Sequence, residues 1–259
     1  MLQPYPRPVF GMFFFILFSV TVTGQDMEFG ITGGGSYYLG DLNPGTPFTD
    51  IKPFFGVLAR YDIDTRWAVK LALMKGAVAA DASQGNPFIQ TLGLSFTSNI
   101  TDISAVAEFN FFPYFTGSER NWISPYIYAG VSVFLFKPMN NGISLVTVGT
   151  EGQKIGYNGR QPYSLVGFSI PFGIGAKVSL AKRLGMQVFW EMHKTFTDYL
   201  DDVSTTFVSG VEYSDPLGTH QTGMQRGDPN NMDWFSFFGV SLTYKFNLTG
   251  SKKCKDLNH

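Results

Sequence analysis

Apolar and polar residues alternate with a period of two along most of this chain, which predicts long β-strands. In the segment 234–246, one face is apolar at six of seven positions, while the other carries Gly, Ser, Thr and Lys beside two Phe. Such a strand separates an apolar environment from a more polar one. The alternation occurs in eight segments: 28–40, 54–63, 67–75, 103–112, 124–136, 169–180, 184–193 and 234–246.

The length of these segments favours strands that cross a membrane. A strand of about 10 residues rises roughly 33 Å, and a tilt of about 45° reduces this to roughly 23 Å. The apolar band of an outer-membrane barrel is ~25 Å tall. Because the backbone groups of a lipid-exposed strand must all be paired, the sheet must close on itself. We therefore expect an all-β fold, an eight-stranded antiparallel transmembrane β-barrel.

The predicted connections alternate in length. The longer ones are 41–52, 77–101, 137–167 and 197–233, and the shorter ones are 62–66, 114–123 and 181–183. Outer-membrane barrels have short periplasmic turns and longer external loops, and an even number of strands places both termini on one side. The sequence thus predicts periplasmic termini and four outer loops. A soluble β-domain is the alternative, but it gives no reason for this alternation.

The N-terminus has the features of a cleavable signal peptide. Arg7 precedes an apolar run from Val9 to Val22, and small residues before Gln25 offer a cleavage site. The run is shorter than the ~20 residues that a membrane-spanning helix needs. A buried helix or an N-terminal anchor is the alternative. We expect a signal peptide at 1–24, the barrel at 25–247 and a periplasmic tail at 248–259.

The composition agrees with a membrane barrel and argues against several functions. Charged residues make up 15% of the chain and aromatic residues 16%, with 26 Phe, whereas soluble domains are roughly 25% charged. The formal net charge of −1 gives no electrostatic footprint for nucleic acid. A single cysteine, Cys254, excludes an internal disulfide and a cysteine-based zinc site. We expect no cofactor, no metal and no enzymatic activity.

The inward faces of the predicted strands carry charges of both signs. The interior of an eight-stranded barrel is just wide enough to be filled by side chains, and unpaired buried charge is costly. We therefore predict a paired polar network in the lumen; a proton or metal path through Glu108, Glu191 and His193 is the alternative. The inward polar residues are Glu28, Arg60, Lys70, Glu108, Asn110, Lys177, Gln187, Glu191, His193 and Lys245.

Three aspartates in the last predicted loop are the main candidates for chemistry outside the strands. Asp198, Asp201 and Asp202 offer carboxylates to Ca²⁺, but their spacing is not that of a known calcium loop. Hydrogen bonding to the loop backbone is the interpretation that we favour, because Asp commonly does this in turns. A hydrolase at the outer rim, built on His193, His220 and the nearby Asp residues, is a further hypothesis that no spacing demands.

Five stretches carry a family resemblance. They are GGGSYYLGD at 33–41, EFNFFPY at 108–114, SPYIYAG at 124–130, KTFTDYLDDVS at 194–204 and RGDPNNMDW at 226–234. In this order they resemble the PorG-type barrels of the Bacteroidetes type IX secretion and gliding machinery, over nearly the whole mature chain. The strand end GVSLTYKF at 239–246 also looks like the signal that the barrel-assembly machinery recognises, but a tail follows it here.

The resemblance implies a structural role in the outer membrane. The resemblance implies that the chain anchors a periplasmic ring in the outer membrane. This ring is built from a lipoprotein and a partner subunit and supports protein secretion. The family has no catalytic residues to transfer. A generic small barrel, acting as an adhesin or ligand-binding protein through loops 137–167 and 197–233, is the alternative.

The tail is our candidate for contact with the ring. It carries Lys252, Lys253, Cys254 and Lys255, and the periplasm permits disulfides. An odd cysteine in such a place can pair between chains. A solvated tail with an inert thiol is the alternative.

Overall fold

The computed structural model describes residues 26–247, so the predicted signal peptide and tail lie outside the described residues. Eight long strands form one antiparallel sheet that closes on itself, and a short ninth strand pairs with one of them in a loop. The strands are β1 (Asp26–Leu39), β2 (Lys52–Asp62), β3 (Trp67–Asp81), β4 (Ser95–Asn110), β5 (Ile123–Asn140), β6 (Ile143–Ser144), β7 (Val166–Ala181), β8 (Leu184–Thr195) and β9 (Trp234–Asn247).

Each long strand pairs with its neighbour along the chain, and the barrel closes where β1 pairs with β9. At this closing seam, Asp26 lies opposite Asn247 and Leu39 lies opposite Trp234, so the two strands are paired along their whole length. Full pairing is what a strand in lipid requires. The predicted eight-stranded antiparallel barrel is confirmed.

Two strands, β3 and β4, extend furthest beyond the segments that the sequence pattern suggested. β3 extends to Asp81 and β4 begins at Ser95, so the predicted loop 77–101 is reduced to the residues between them. Burial alternates along all of β4, and Asp102 points inward like Ser104. The pattern was hidden because inward Ser98 and Asp102 are polar while the outward residues there are Asn and Thr, so the two faces look alike.

Short helices occur in the connections at one end of the barrel. They are the α-helices α1 (Pro87–Leu92) and α2 (Leu145–Val148) and the 3₁₀ helices Ala82–Gln84, Gln153–Ile155 and Tyr157–Gly159. Asn86 caps the start of α1 by accepting hydrogen bonds from two backbone N–H groups, and Gly93 ends it in the left-handed conformation. No helix within residues 26–247 has the length and hydropathy needed to cross a membrane.

The barrel has an apolar outside and a filled, layered inside. Outward side chains such as Ile31, Val131 and Phe168 are more than half exposed. Inside, ionic residues occupy the end with the short turns, whereas aromatic and aliphatic residues occupy the end with the long loops. A polar interior within an apolar outer band is the arrangement of an outer-membrane barrel.

Candidate functional sites in the lumen and at the two ends

Arg60 is the centre of the ionic layer in the lumen. Its Nη1 donates to Glu28 at 2.7 Å and its Nε to Glu108 at 2.8 Å, and it also contacts Gln187. Lys177 lies 2.6 Å from the same Glu108 carboxylate. All five side chains are buried. Charges removed from water in this way are stable only when they are paired, as they are here.

Lys70 extends the ionic layer toward the middle of the barrel. Its Nζ lies 3.6 Å from Glu191 and 3.9 Å from Glu108. The ammonium group also stands 4.4 Å from the centroid of the Tyr128 ring, and Tyr128 stacks on Tyr126 at 5.4 Å. Cation–π contacts of this kind stabilise a buried ammonium further. The network thus fills the lumen with fixed side chains.

The ring of His193 connects the ionic layer to the apolar layer. Its Nδ1 lies 3.0 Å from the Ser169 hydroxyl and 3.7 Å from Asp102, and its Nε2 lies 3.0 Å from Glu191. Ser, His and Glu in this order resemble a hydrolytic triad. However, His193 is fully buried and stacks on Phe235 at 4.2 Å. A substrate has no access to it, so this group has a structural role.

The two histidines of the rim-hydrolase hypothesis lie in different parts of the molecule. His193 is inside the barrel, whereas His220 lies in the last loop, where it pairs with Asp215 at 3.0 Å and stacks on Phe207. Asp198 is in the same loop but contacts neither histidine. The structure does not bring the groups of that hypothesis together, because His193 lies in the lumen and His220 in the last loop.

A layer of aromatic side chains closes the lumen above His193. Phe134, Phe235 and Phe237 are fully buried, and their rings lie 5.2 Å and 5.5 Å apart in edge contacts. Phe54 joins them, with its ring 4.8 Å from that of Phe237. Side chains packed at these distances leave no room for a solute. The described part of the chain therefore has no open channel.

The loops at one end fold together into a compact cap, which we define as residues 40–51, 141–165 and 196–233. Glu151 accepts hydrogen bonds from the backbone of Ser204 and Thr205 and pairs with Arg226 at 3.1 Å. Tyr163 donates to Asp202 at 2.6 Å. These contacts join two loops that are far apart in the sequence.

The aspartates of the predicted loop motif mainly hold the cap in place. The Tyr38 hydroxyl lies 2.6 Å from Asp201 and 2.8 Å from Asp233, so it joins the barrel to the cap. Asp202 is held by Tyr163 and Thr150, and burial raises its pKa to about 6. Within residues 26–247, no three His, Cys, Asp or Glu side chains are grouped as metal ligands would be.

Asp198 differs from its neighbours in the motif. Its side chain is buried, and neither of its carboxylate oxygens has a well-formed hydrogen bond in the described residues. Burial raises its pKa to about 9, and Asp233 adds to the shift, although the Ser204 hydroxyl opposes it. A pKa of about 9 favours the protonated form of this carboxyl group at neutral pH.

The opposite end of the barrel is closed by a loop that we call the floor, residues 111–122. Thr116 is fully buried and donates to Glu28 of the ionic layer, and Gly117 donates to the Ser179 hydroxyl at 2.8 Å. Phe112 and Trp122 are 59% and 48% exposed on the outside of this loop. No role for this loop could be predicted from its residues, because a run of aromatic residues there is equally typical of a membrane girdle.

A groove of about 520 Å³ runs between the floor and the adjacent turn from β7 to β8. Trp122 and Leu180 provide apolar walls, while Glu119 and Lys182 provide charges of opposite sign. The predicted partner residues, Lys252, Lys253, Cys254 and Lys255, lie outside the described residues. The floor and its groove are the most distinctive surface that the described chain presents at this end.

Aromatic side chains form bands near both ends of the outer wall. At the floor end, the rings of Trp67 and Phe109 lie 4.9 Å apart, as do those of Tyr244 and Phe246. At the cap end, Phe48 packs on the wall. Aromatic belts on either side of an apolar band mark the two interfaces of a membrane. The protein is thus an outer-membrane barrel in architecture.

Comparison with known proteins leaves the role open. A family model described as "Domain of unknown function (DUF6089)" matches residues 7–255. No curated protein matches the sequence. The description of the family names no secretion system, so it neither supports nor opposes the resemblance to PorG-type barrels.

Several solved structures are similar in fold. Neisserial surface protein A aligns with a TM-score of 0.45 and 9% identity, over 86% of this chain and 98% of that one. The attachment invasion locus protein Ail of Yersinia pestis aligns with a TM-score of 0.43 and 10% identity, over 86% and 100%. AlkL aligns with a TM-score of 0.39 and 15% identity, over 97% and 99%.

Proposed function

Since the chain belongs to the DUF6089 family, whose role is open, we propose that it is a non-enzymatic outer-membrane component of type IX protein secretion that anchors a periplasmic ring complex. The observation that carries this proposal is the filled lumen. Arg60, Glu108 and Lys177 occupy one half and Phe134 and Phe235 the other, all of them buried. A barrel without a passage acts through its outer surfaces.

The floor is the surface best suited to a periplasmic partner. Thr116 and Gly117 hold the loop against the barrel, and the backbone N–H of Phe112 donates to the Ser124 hydroxyl at 2.9 Å. Rigid, exposed aromatic side chains are typical anchors in protein interfaces. In the proposed orientation, with the short turns in the periplasm, Phe112 and Trp122 face the ring, and β9 ends at Asn247 on the same side.

A pull-down from solubilised outer membranes tests this proposal. The tagged protein is extracted in mild detergent, and co-purifying proteins are quantified by mass spectrometry. We expect a periplasmic lipoprotein and its partner subunit in a fixed ratio. Phe112→Ala is expected to reduce their recovery at least tenfold, as loss of a hot-spot aromatic does. Phe168→Ala removes an equally exposed Phe from the lipid-facing wall and serves as the control.

Deletion of residues 248–259 is a separate arm of the same experiment. If the tail contributes to the contact, the deletion combined with Phe112→Ala gives lower recovery of the partners than Phe112→Ala alone. Recovery of the barrel alone, even after cross-linking, contradicts the secretion role. Equal loss with Phe112→Ala and Phe168→Ala shows that the floor is not the docking surface.

The ordered cap favours a second candidate, an adhesin or ligand-binding barrel. Tyr38, Asp201 and Asp233 join the cap to the barrel through buried hydrogen bonds, which is more order than unused surface loops need. In this case, cap deletions abolish function while changes in the floor are tolerated. Replacing the last loop by a short turn and testing both ring recovery and surface binding distinguishes the two.

A further inference from the structure

Two adjoining cavities open at the cap end of the barrel, beside the loop 40–51. Their volumes are about 230 Å³ and about 300 Å³. Both are lined by Asp50, Ala80, Asp81 and Gln84, so these residues separate two adjoining lobes of one depression. Pockets for small ligands span roughly 300–1,000 Å³. The depression, which we call the rim pocket, is thus large enough for a ligand of the size of a sugar ring.

The rim pocket is built on strand ends rather than on free loops. Lys52 begins β2, Asp81 ends β3, Ser95 begins β4 and Asn140 ends β5. The Asn140 side-chain amide donates to the Ser95 carbonyl at 2.7 Å, which ties two of these ends together. Sites supported by strands hold their side chains more accurately than sites on loops.

One wall of the rim pocket is held in a strained backbone conformation. Phe48 and Asp50 have φ angles of 60° and 49°, in the left-handed region that non-glycine residues seldom adopt. Phe48 is fixed by its ring contacts with Tyr37 at 4.9 Å and Phe238 at 5.1 Å on the barrel wall. This clamp places the Asp50 carboxylate at 3.0 Å from the Gln84 amide. Retained strain of this type concentrates at functional sites.

Part of the polar lining has hydrogen-bonding capacity left for a ligand. Asp81 uses one oxygen to accept from the Ser83 backbone, and Asp50 uses one to accept from Gln84. The second oxygen of each carboxylate, the Gln84 carbonyl and the Lys52 ammonium have no other partner among the described residues. Acceptors and donors placed side by side suit hydroxyl groups, which both donate and accept.

The charge and the apolar base of the rim pocket limit the class of ligand that it can bind. Two carboxylates, Asp50 and Asp81, stand against a single cation, Lys52. A net negative lining disfavours phosphate, sulfate and carboxylate ligands through like-charge repulsion. Ala80 and Phe96 give the pocket an apolar base. A neutral molecule with many hydroxyl groups and one apolar face satisfies all of these conditions.

We propose that the rim pocket binds a neutral saccharide, with Asp50, Asp81 and Gln84 accepting from its hydroxyl groups and Lys52 donating to them. This site lies at the opposite end from the floor and is independent of the proposed secretion role. The ligand fills a shallow pocket with few atoms, so its dissociation constant is expected on the order of 1–10 mM.

Saturation-transfer-difference NMR on the full protein tests this inference. The protein is held in a detergent without a sugar headgroup, because a maltoside would compete for the site. The probes are N-acetylglucosamine, galactose, mannose and rhamnose, each titrated to about 50 mM, which is above the expected dissociation constants. We expect saturable transfer to at least one of them, and none to sulfated glucosamine.

Matched variants assign the binding to the rim pocket. Gln84→Ala is expected to weaken binding at least fivefold, while Gln161→Ala, the same change at an exposed site in the cap, leaves it unchanged. Asp50→Asn keeps the shape of the pocket and guards against misfolding of the first variant; it is expected to weaken binding and to admit the sulfated sugar. Absence of transfer from all four probes overturns the proposal, as does equal binding by Gln84→Ala and Gln161→Ala.

Discussion

The indole Nε1 of Trp190 donates a hydrogen bond of 2.9 Å to the Tyr37 hydroxyl on the outer side of the barrel wall. The two residues belong to β8 and β1, and Ser236 of the intervening β9 accepts from the same indole at 3.1 Å. Phe48 of the cap covers these polar atoms from outside. The contact therefore stabilises the seam where the first and last strands of the barrel meet.

Tyr37→Phe is expected to lower the free energy of unfolding by about 1 kcal/mol, because it removes the partly buried hydrogen bond from the indole and a weaker one to the Met192 sulfur at 3.5 Å. Ser236 then remains as the acceptor for the indole. Urea titration of the barrel in lipid vesicles, followed by tryptophan fluorescence, measures this. Tyr244→Phe is the control, since that hydroxyl is exposed and accepts only from Arg183 at 3.3 Å. A loss of the same size in both variants would mean that the seam contact stabilises the barrel no more than an exposed hydroxyl does.

The strands and their inward faces could be predicted from the sequence, because the period of two is a local property of the chain. The polar residues predicted to face the lumen, such as Arg60 and Glu108, do face it. Asp102 was missed, since small and polar residues on both faces of β4 obscured its first half. The contacts of Phe48 and Tyr38 could not be predicted from the sequence, because each joins a loop to distant strands and leaves no periodic signal.

Arg60→Met is expected to destabilise the barrel by about 3–5 kcal/mol, because it leaves buried Glu28 and Glu108 with less compensating charge. The loss should appear as a lower urea midpoint in the same vesicles. The second substitution Glu28→Gln in this background is expected to restore part of the stability, since Arg60 is the cation paired with Glu28, whereas Glu108 keeps Lys177. Lys182→Met changes an exposed cation in a turn and should have almost no effect.

Failure of the double variant to recover any stability would contradict the assignment of Arg60 to charge compensation. In that case the loss from Arg60→Met comes from packing alone, since the methionine side chain is shorter and lacks the planar head. The comparison separates the two causes because Glu28→Gln alters charge while it preserves the volume of the side chain.

Gly173→Ala is expected to destabilise the barrel by about 1–3 kcal/mol through overpacking. A Cβ at this position would lie 2.3 Å from the Trp190 carbonyl oxygen and 2.6 Å from the Tyr128 hydroxyl, both of which are fixed in the wall or the lumen. Gly45→Ala is the control, because nothing lies within 4 Å of its Cβ position. Samples heated to a series of temperatures before electrophoresis give the unfolding temperature of each variant. Equal shifts for both would contradict the proposed close packing.

Asp198 is expected to make the stability of the protein fall as the pH rises. Its pKa of about 9 in the folded state is above the ordinary value of 3.8, so the folded protein binds the proton more tightly than the unfolded chain. The stabilisation from this group is present at low pH and is lost as the pH rises through the folded pKa. Asp41 and Asp202 have pKa values of about 6, so their effect on stability ends at a lower pH than that of Asp198.

The upper part of the pH range, from about 6 to 9, therefore reports on Asp198 together with fully buried Asp201 and Asp233, whose pKa values are also raised by burial. Asp198→Asn mimics the protonated group and is expected to reduce the downward slope of stability in this range without removing it. Urea midpoints at a series of pH values measure the slope. Asp228→Asn, an exposed aspartate of the same loop, should keep the parent slope. An unchanged slope in Asp198→Asn would show that this carboxyl group is already ionised in the folded cap at neutral pH.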